Sequence, residues 1–392
     1  MNILTQPYSL ATTLSCSNCK QEYNITEINS YATCCNKPLV VDYDLLSAPP
    51  KSALALTEHT MWRYSVLLPV LSKENIVSLG EGMTPIHHLN KMAREYGFDK
   101  LLMKDESFNP TGSFKARGIS MAVSKAKELG ITKCIVPTAG NAGGALAAYC
   151  AKAGIKCTVV MPSLTPAVFK QECELYGADL VLVDGLINDC AKKASEINND
   201  NTYFDISTLK EPYRIEGKKT MGYEIAEQLN WQLPDVIIYP AGGGTGLIGI
   251  WKAFKEMKEM GWITCPLPRM IAVQSKNCAP ILHALNDIEN WKTMFTPMAT
   301  VANGLAVPYP FGMDMMLRVL KESGGTAIAI SEADIVSGVK EISKTEGLLI
   351  SPEGAATWKA LLQLRQQKII ASHETVLMLN TGSGYKYIDN LN

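Results

Sequence analysis

Residues 134–154, CIVPTAGNAGGALAAYCAKAG, decide the fold class of this chain. The apolar run CIVP predicts a buried strand, the small-residue loop TAGNAGG follows it, and ALAAYCAKAG predicts a helix. The same order returns where VIIYP leads into AGGGTG (236–246) and where TVLML leads into NTGSG (375–384). Apolar runs that are punctuated by glycine and continue into helices are typical of strands buried on both faces of a parallel sheet.

The spacing of the neighbouring strands supports the same fold. Strand starts at Cys134, Cys157 and Leu180 are 23 residues apart each time, which is the cadence of βαβ units. We therefore expect an open α/β architecture with helices on both sheet faces and a ligand at the carboxyl ends of the strands. Further strands are predicted at 100–106, 236–240, 270–275, 326–331 and 375–380.

Composition limits the classes of partner. The 392 residues carry 37 basic and 38 acidic side chains, a formal net charge of −1. A general nucleic-acid or anionic-membrane partner would need a basic excess, so we expect neither. Hydrophobic residues make up 47% and charged residues 19%, so most of the chain is expected to fold. Two uncharged apolar runs, 134–151 and 236–251, are broken by glycine, which argues against a membrane span.

The cysteines and the N-terminal residues indicate the cellular compartment in which the protein is expected. The first residues, MNILTQPYSLATTL, have no basic stretch before their mildly apolar part, so we expect no signal peptide. Of the eleven cysteines, seven lie singly in apolar or helical stretches, as buried free thiols do. Such thiols fit a reducing compartment, and we expect a cytoplasmic protein. The seven are Cys134, Cys150, Cys157, Cys173, Cys190, Cys265 and Cys278.

The loop after VIIYP is the best candidate for binding a phosphate. Its sequence, Gly242-Gly243-Gly244-Thr245-Gly246, can present backbone N–H groups at a helix N-terminus, and Thr245 adds a hydroxyl donor. It lacks the GxGxxG spacing of a dinucleotide site, because Leu247 stands where the third glycine would fall. A small phosphate ester fits better than a nucleotide, and a tight turn without a ligand stays open as the alternative.

A lysine is the second chemical signal. The turn-forming sequence NPTG (109–112) leads into SFKARG, which places Lys115 at the start of an amphipathic helix. The positive end of a helix and apolar neighbours favour a neutral amine, which can form a Schiff base and act as a base. The alternative is a lysine exposed to solvent in the first helical turn.

These motifs, in this order over residues 80–387, resemble the pyridoxal-phosphate enzymes of the tryptophan-synthase-β type, known as fold type II. The resemblance implies two open parallel-sheet α/β domains and a small N-terminal extension that contains cysteines. The extension would span residues 1–75, the large cofactor-binding domain 76–120 and 205–392, and the small mobile domain 121–204. A homodimer is also implied.

The resemblance also implies roles for single residues. Pyridoxal 5'-phosphate would be joined to Lys115, and Asn141 would bind its phenolic oxygen. A neutral hydroxyl from Thr381, or alternatively from Ser383, would face the pyridine nitrogen, which suits elimination and replacement more than transamination. The phosphate would be held by Gly242, Gly243, Gly244, Thr245 and Gly246.

Within this class the chain is most similar to the threonine synthases. Besides its cysteine-containing N-terminus, LGEGMTPI (79–86), SPEGAATWKAL (351–361) and NTGSGYKY (380–387) resemble their motifs, and YRIEGKKT (213–220) resembles their substrate-phosphate segment. Similarity to this family implies conversion of O-phospho-L-homoserine and water to L-threonine and phosphate. Arg214 would bind the substrate phosphate, with Lys218 as a weaker candidate, and Thr138 and Ala139 would face the substrate carboxylate. An ion pair of Arg214 with Glu211 or Glu216 is the structural alternative.

Two departures keep a second activity open. Ala116 follows the lysine where threonine synthases often have aspartate, and the asparagine loop reads AGNAGG instead of TGNT or TGDT. Both features resemble the deaminases of threonine and serine. The alternative is therefore a β-eliminating deaminase, or a related amino-acid ammonia-lyase.

The N-terminal cysteines predict either a metal site or free thiols. Cys16 and Cys19 form a C-x2-C pair, and 14 residues separate it from the adjacent pair Cys34-Cys35. Paired cysteines at such spacing indicate zinc. Two adjacent thiolates reach one tetrahedral ion only with strain, so the spacing favours free or buried thiols over zinc.

Overall fold

The computed structural model describes residues 8–391. The first half of the segment MNILTQPYSLATTL, in which we expect no signal peptide, therefore lies outside the described residues. Contacts group the chain into two compact units. The first unit holds the described residues up to Met83, Lys115–Tyr223 and Lys255–Trp262. The second holds Thr84–Phe114, Glu224–Phe254 and the described residues from Ile263 onward. The three-part division expected from the sequence, with boundaries near 75, 120 and 205, stays a prediction.

The strands of both units are short and mostly buried. In chain order they are β1 (Ala11–Cys16), β2 (Glu22–Tyr23), β3 (Leu39–Tyr43), β4 (Ile86–His88), β5 (Lys100–Asp105), β6 (Lys133–Pro137), β7 (Lys156–Pro162), β8 (Asp179–Val183), β9 (Phe204–Asp205), β10 (Val236–Pro240), β11 (Arg269–Ser275), β12 (Thr326–Ile330) and β13 (Thr375–Asn380).

Helices follow most of the strands. They are α1 (Asn90–Tyr96), α2 (Lys115–Glu128), α3 (Asn141–Ala153), α4 (Ala167–Leu175), α5 (Ile187–Ile197), α6 (Tyr213–Gln228), α7 (Thr245–Glu259), α8 (Pro280–Asn286), α9 (Met313–Ser323), α10 (Glu332–Glu346) and α11 (Pro352–Gln366).

The first unit contains two sheets. β1, β2 and β3 form a small antiparallel sheet in the order β2-β1-β3. β6 to β9 form a parallel sheet in the order β8-β7-β6-β9. The 23-residue cadence predicted β6, β7 and β8, whereas the two-residue strand β9 carries too few residues to show a pattern.

The second unit is built on one six-stranded sheet in the order β12-β11-β10-β13-β5-β4. All pairs are parallel except β4 with β5 at the edge. β10 lies inside the sheet between β11 and β13, and all five of its residues are buried, which explains its uninterrupted apolar sequence. The predicted α/β class is thereby confirmed, and every predicted strand lies within two residues of an observed one.

The helix starts differ in one respect from the expectation. Residues 138–144 read as a loop, but α3 already begins at Asn141, so Gly143 and Gly144 lie in its first turn. A Cβ on Gly144 would come within 2.2 Å of the Glu172 carboxylate, and one on Gly143 within 3.0 Å of Cys173 Sγ. These glycines therefore serve close packing of α3 on α4 rather than loop flexibility.

The cysteine expectation holds for six of the seven scattered thiols, which are buried, whereas Cys265 is only half-buried. All eleven cysteines are free thiols. Over residues 8–391, no helix has the length and apolar character needed to span a bilayer.

A buried ion pair ties β5 to the end of α6 in the second unit. Lys104 is fully buried, and its Nζ donates to Glu224 Oε2 at 2.8 Å, Gln228 Oε1 at 2.9 Å and the Thr84 carbonyl oxygen at 2.7 Å. Charged residues are rarely this buried, and only such complete pairing makes it tolerable.

We predict that Lys104→Met lowers the free energy of unfolding by ~3–5 kcal/mol, because it leaves Glu224 charged and buried without its cation. The double variant Lys104→Met/Glu224→Gln should recover part of that loss. Lys100→Met, at an exposed position of the same strand, is the matched control and should change stability by less than ~0.5 kcal/mol. Urea unfolding measures all three, and equal effects at both lysines would contradict the prediction.

Candidate active site

Three loops of the second unit meet at one edge of the six-stranded sheet. β10, β13 and β5 are neighbouring parallel strands, so the loops that follow them leave from the same edge. They carry the glycine loop at 242–246, the loop at 381–384 and the segment that leads to Lys115. The sequence predicted a site at strand carboxyl ends, and the register of these strands brings the three loops together.

Backbone contacts fix the segment before the lysine. The Phe114 N–H donates to the Thr381 carbonyl oxygen at 3.0 Å, and the Ser383 N–H donates to the Gly112 carbonyl oxygen at 2.8 Å. The Phe114 ring packs edge-on against Tyr239, with 6.4 Å between ring centroids. The next residue, Lys115, is half-buried and begins α2 as predicted.

The glycine loop packs too closely for side chains. A Cβ on Gly242 would come within 2.2 Å of the Gly304 carbonyl oxygen, and one on Gly246 within 2.0 Å of Tyr239 Oη. Gly244 has φ +81° and would place a Cβ 2.1 Å from Met316 Sδ. α7 begins at Thr245, so Gly242, Gly243 and Gly244 directly precede the positive end of a 15-residue helix.

The two hydroxyls proposed for the pyridine nitrogen differ in their contacts. Ser383 caps the short 3-10 helix that follows it, because its Oγ accepts from the Tyr385 N–H at 3.3 Å. Thr381 is buried, and its carbonyl oxygen accepts from the Phe114 N–H. The choice of Thr381 over Ser383 for the ring nitrogen stays a prediction.

The asparagine loop belongs to the first unit. It connects β6 to α3, and Thr138 Oγ1 accepts from the Gly140 N–H at 3.2 Å, which ties the threonine to its own loop. Ala139 and Asn141 are half-buried. Asn141 is the first residue of α3, so its side chain stands at the positive end of that helix.

The segment YRIEGKKT forms the start of α6 and packs against α2 in the same unit. A Cβ on Gly217 would come within 2.1 Å of the Arg117 carbonyl oxygen, and one on Gly118 within 2.8 Å of the Arg214 carbonyl oxygen. Arg117 Nη1 also donates to Thr220 Oγ1 at 3.0 Å. The two helices thus touch backbone to backbone, which fixes Arg214 relative to the helix that begins at Lys115.

Among residues 8–391, Arg214 is buried and forms no ion pair with a carboxylate. Its Nη1 donates to the Ile206 carbonyl oxygen at 2.7 Å, and its Nε has no hydrogen-bond partner among the described residues. Glu211 accepts from the backbone N–H groups of Tyr213 and Arg214 instead of from the guanidinium. Glu216 pairs with Lys219 at 2.7 Å. Neither ion pair offered as the structural alternative for Arg214 is formed.

Burial changes the protonation of Glu211. Desolvation raises the pKa of its carboxyl from the ordinary 4.5 to about 8, although Arg214 and two backbone N–H groups oppose the shift. Burial likewise lowers the pKa of Arg214, and the nearby carboxyl groups of Glu211 and Asp205 oppose that shift. The raised pKa favours the protonated form of the carboxyl beside Arg214 near neutral pH, while Asp205 also acts on the guanidinium charge.

The two lysines of the segment are both fully buried, so neither is exposed to solvent. Lys219 Nζ contacts Glu216 at 2.7 Å and Glu256 at 3.0 Å, which assigns it a structural role. Lys218 packs on α2, because its Cε would lie 2.9 Å from a Cβ on Gly118.

One buried acid escaped the sequence analysis although its motif, LGEGMTPI, was singled out. Glu81 is fully buried and accepts hydrogen bonds from Trp62 Nε1 at 2.9 Å, Ser120 Oγ at 2.6 Å and Tyr149 Oη at 2.6 Å. Ser120 is on α2 and Tyr149 on α3, so Glu81 joins the helices that begin at Lys115 and Asn141. Its position between two glycines was the only available signal.

The four N-terminal cysteines lie together. The Sγ atoms of Cys16, Cys19, Cys34 and Cys35 are all within 4.8 Å of one another. Burial raises the pKa of the Cys16 thiol, but backbone N–H groups of Cys19 and Asn18 and the neighbouring thiols outweigh it and bring that pKa to about 7.

The donor set fits pyridoxal phosphate, as the sequence resemblance implied. A lysine at a helix start, a glycine loop before a helix N-terminus and nearby threonine and serine hydroxyls are groups that suit such a cofactor. The fold and these loops define a pyridoxal-phosphate-dependent enzyme, and the sequence profile described as "Pyridoxal-phosphate dependent enzyme" matches residues 77–382.

The chain belongs to the threonine synthase family of these enzymes. It is 33% identical to threonine synthase of Methanocaldococcus jannaschii over 95% of this chain and 92% of the relative. It is 34% identical to threonine synthase of Methanosarcina acetivorans over 94% and 91%, respectively.

Solved structures share the fold. Maize serine racemase superimposes with a TM-score of 0.66 at 21% identity, covering 77% of this chain and 88% of the racemase. Threonine deaminase isoform 2 from Solanum lycopersicum does so with 0.64 at 20% identity, covering 79% and 87%. At this identity the likeness concerns the fold alone, and it confirms the fold type II architecture.

We predict that Gly244→Ala weakens pyridoxal phosphate binding at least ~10-fold, because the added methyl group meets Met316 and the positive φ is strained. Equilibrium dialysis followed by absorbance of the retained cofactor measures this affinity. Gly324→Ala is the matched control, since Gly324 also has a positive φ, +63°, but has nothing within 4 Å of the added Cβ. Unchanged affinity in Gly244→Ala would contradict the assignment of this loop.

A second prediction concerns stability against pH. Because the folded pKa of Glu211 is about 8 and its ordinary value is 4.5, the folded state holds a proton that the unfolded state lacks between these values. Stability should therefore fall by several kcal/mol as pH rises from about 4.5 to 8, at about 1.4 kcal/mol per unit.

Glu211→Gln should flatten this part of the stability curve, since glutamine does not titrate. Urea unfolding at a series of pH values compares it with Glu174→Gln, an exposed site on α4 that should leave the slope unchanged. An identical slope in Glu211→Gln and the unmodified chain would reject the raised pKa.

Proposed function

We propose that this protein converts O-phospho-L-homoserine and water to L-threonine and inorganic phosphate. The observation that carries the proposal is Arg214, a buried guanidinium with no carboxylate partner within the described residues and a protonated neighbour in Glu211. A buried cation of this kind needs an anion, and a phosphate suits the arginine fork. The curated relatives named above are threonine synthases, which supports the same reaction.

We propose that the residues at the sheet edge and in the asparagine loop hold the cofactor. Lys115 would be joined to pyridoxal phosphate, Asn141 would face its phenolic oxygen and Thr381 its ring nitrogen. When bound, the cofactor supplies an electron-accepting ring that stabilises negative charge next to the substrate amino group. Its phosphate would be held by Gly242, Gly243, Gly244, Thr245 and Gly246.

The remaining roles are those that the sequence resemblance implies. The Lys115 amine would take the proton from the substrate α-carbon and return protons in later steps, as a neutral amine can. Thr138 and Ala139 would bind the substrate carboxylate, and Arg214 the departing phosphate. Lys218, buried one turn after Arg214, is proposed to add positive charge at the same place.

We further propose a cytoplasmic homodimer that acts on a free amino acid and binds neither nucleic acid nor a membrane. The balanced charge and the seven scattered free cysteines support this setting. The proposed mobile domain at 121–204 contains the strands β6, β7 and β8, and its closure would exclude bulk water from the reaction.

We predict that Arg214→Gln raises the KM for O-phosphohomoserine roughly 10- to 100-fold, which corresponds to losing a charged hydrogen bond worth about 1.5–3 kcal/mol. The assay follows phosphate and threonine release by cofactor-loaded protein. Arg94→Gln, at an exposed position of α1, is the matched control, and Lys115→Ala is the inactive reference.

A parallel reaction with threonine or serine, followed by 2-oxo acid formation, tests the deaminase alternative. Phosphate and threonine from O-phosphohomoserine would support the proposal. A 2-oxo acid alone, with no phosphate release, would assign the protein to the deaminases and leave Arg214 with a structural role.

A further inference from the structure

The N-terminal cysteine cluster has the geometry of a metal site. In a tetrahedral tetrathiolate site the Zn–S bonds of about 2.3 Å place the sulfur atoms roughly 3.8 Å apart. The four Sγ atoms here are all within 4.8 Å of one another, and those of Cys19 and Cys34 are 3.4 Å apart. An ion at their centre therefore needs only small side-chain adjustments.

The two turns that carry the cysteines repeat one backbone pattern with an offset of 16 residues. The Cys16 N–H donates to the Gln21 carbonyl oxygen at 2.9 Å, and the Ala32 N–H donates to the Lys37 carbonyl oxygen at 2.8 Å. The residue after the last cysteine of each turn has a positive φ, 64° at Lys20 and 52° at Asn36.

This equivalence explains how an adjacent pair can serve a tetrahedral site. Cys35 corresponds to Cys19, whereas the counterpart of Cys16 is the buried Ala32. The fourth thiol comes from Cys34, whose counterpart in the first turn is Asn18. The second turn therefore does not use the two positions that carry Cys16 and Cys19 in the first turn. It uses the position of Cys19 and the one before it, and there the adjacent thiols Cys34 and Cys35 both lie close to the other two.

Asn18 contributes to the sulfur atoms in another way. Its backbone N–H donates to Cys16 Sγ at 3.5 Å, and its Nδ2 donates to Cys35 Sγ at 3.5 Å. Hydrogen bonds of this kind stabilise thiolates and orient metal ligands.

We propose that Cys16, Cys19, Cys34 and Cys35 bind one Zn²⁺ ion as four thiolates and release their thiol protons to solvent. Four sulfur ligands in a tetrahedral arrangement are typical of structural zinc. The proposed ion is separate from the cofactor-binding residues and takes no part in their chemistry.

The ion would stabilise the attachment of the N-terminal sheet. Cys16 pairs with Leu39 at one end of β3, and Tyr43 at its other end donates to Glu216 Oε2 on α6 at 2.7 Å. Lys219 Nζ lies 3.8 Å from the centroid of the Tyr43 ring. Fixing Cys16, which pairs with Leu39, would therefore restrain one end of β3 while Tyr43 at its other end contacts α6.

The first test is the metal content of the full-length protein with its cofactor, purified under reducing conditions without chelator. We expect one zinc per chain by elemental analysis, and much less than one in Cys19→Ser and Cys34→Ser. Cys265→Ser, at the half-buried thiol outside the cluster, should keep the full content. No bound zinc, with four reactive thiols or a Cys19–Cys34 disulfide, would overturn the proposal.

A second measurement decides the matter if the serine variants fail to fold. The unmodified protein is exchanged into Co²⁺, and we expect the intense visible bands of tetrahedral tetrathiolate cobalt together with a higher Tm than that of the metal-depleted protein. The absence of these bands would reject the site, and an unchanged Tm would reject its stabilising role.

The register of the two turns has its own test. Ala32→Cys introduced into Cys34→Ser restores a C-x2-C pair at the positions equivalent to Cys16 and Cys19, so zinc content should return to about one per chain. A folded double variant that stays without zinc would contradict the equivalence of the turns.

Discussion

The backbone contact between α2 and α6 is the constraint on which the first unit depends. Gly118 and Gly217 leave no room for a Cβ, so the two helices approach until backbone meets backbone. This approach sets the position of Arg214 relative to the helix that Lys115 begins. It also removes solvent from the neighbouring side chains, and most of the unusual protonation and pairing in this unit follows from that burial.

The buried charged residues at and just before the start of α6 are stabilised in different ways. Lys219 lies between Glu216 and Glu256, and Tyr43 donates to Glu216, so these charged groups find their partners within the unit. Desolvation raises the pKa of the Glu211 carboxyl and favours its protonated form, although the two backbone N–H groups that donate to it oppose this shift. Sequence analysis treats charged residues as exposed by default, and for this helix the default is wrong because its polar residues face other elements rather than solvent.

Sequence predicted what is encoded locally. Several strands are visible in the sequence as short apolar runs, namely β6, β7, β8, β10 and β13. Glycine loops follow β6, β10 and β13 directly, so the sequence alone predicted the sheet edge and the residues proposed to bind the cofactor. The contact of Tyr43 with Glu216 spans 173 residues and involves no pattern that a single sequence displays. The same holds for Glu81, whose three donors come from separate elements, and for the offset between the cysteine turns, which appears only in backbone hydrogen bonds.

The two arginines near the start of α2 and α6 show why residue type alone does not assign a role. Arg117 is fully buried and donates to Thr220, a neighbour on the opposing helix, so it secures the helix contact. Arg214 is also buried, but it forms no ion pair with Glu211 or Glu216 within residues 8–391, and Asp205 and Glu211 act on its charge from nearby. The leaving phosphate of the proposed substrate is an anion of suitable geometry for such a guanidinium. The geometry of Arg214 therefore adds an argument for a phosphorylated substrate to the similarity with known families.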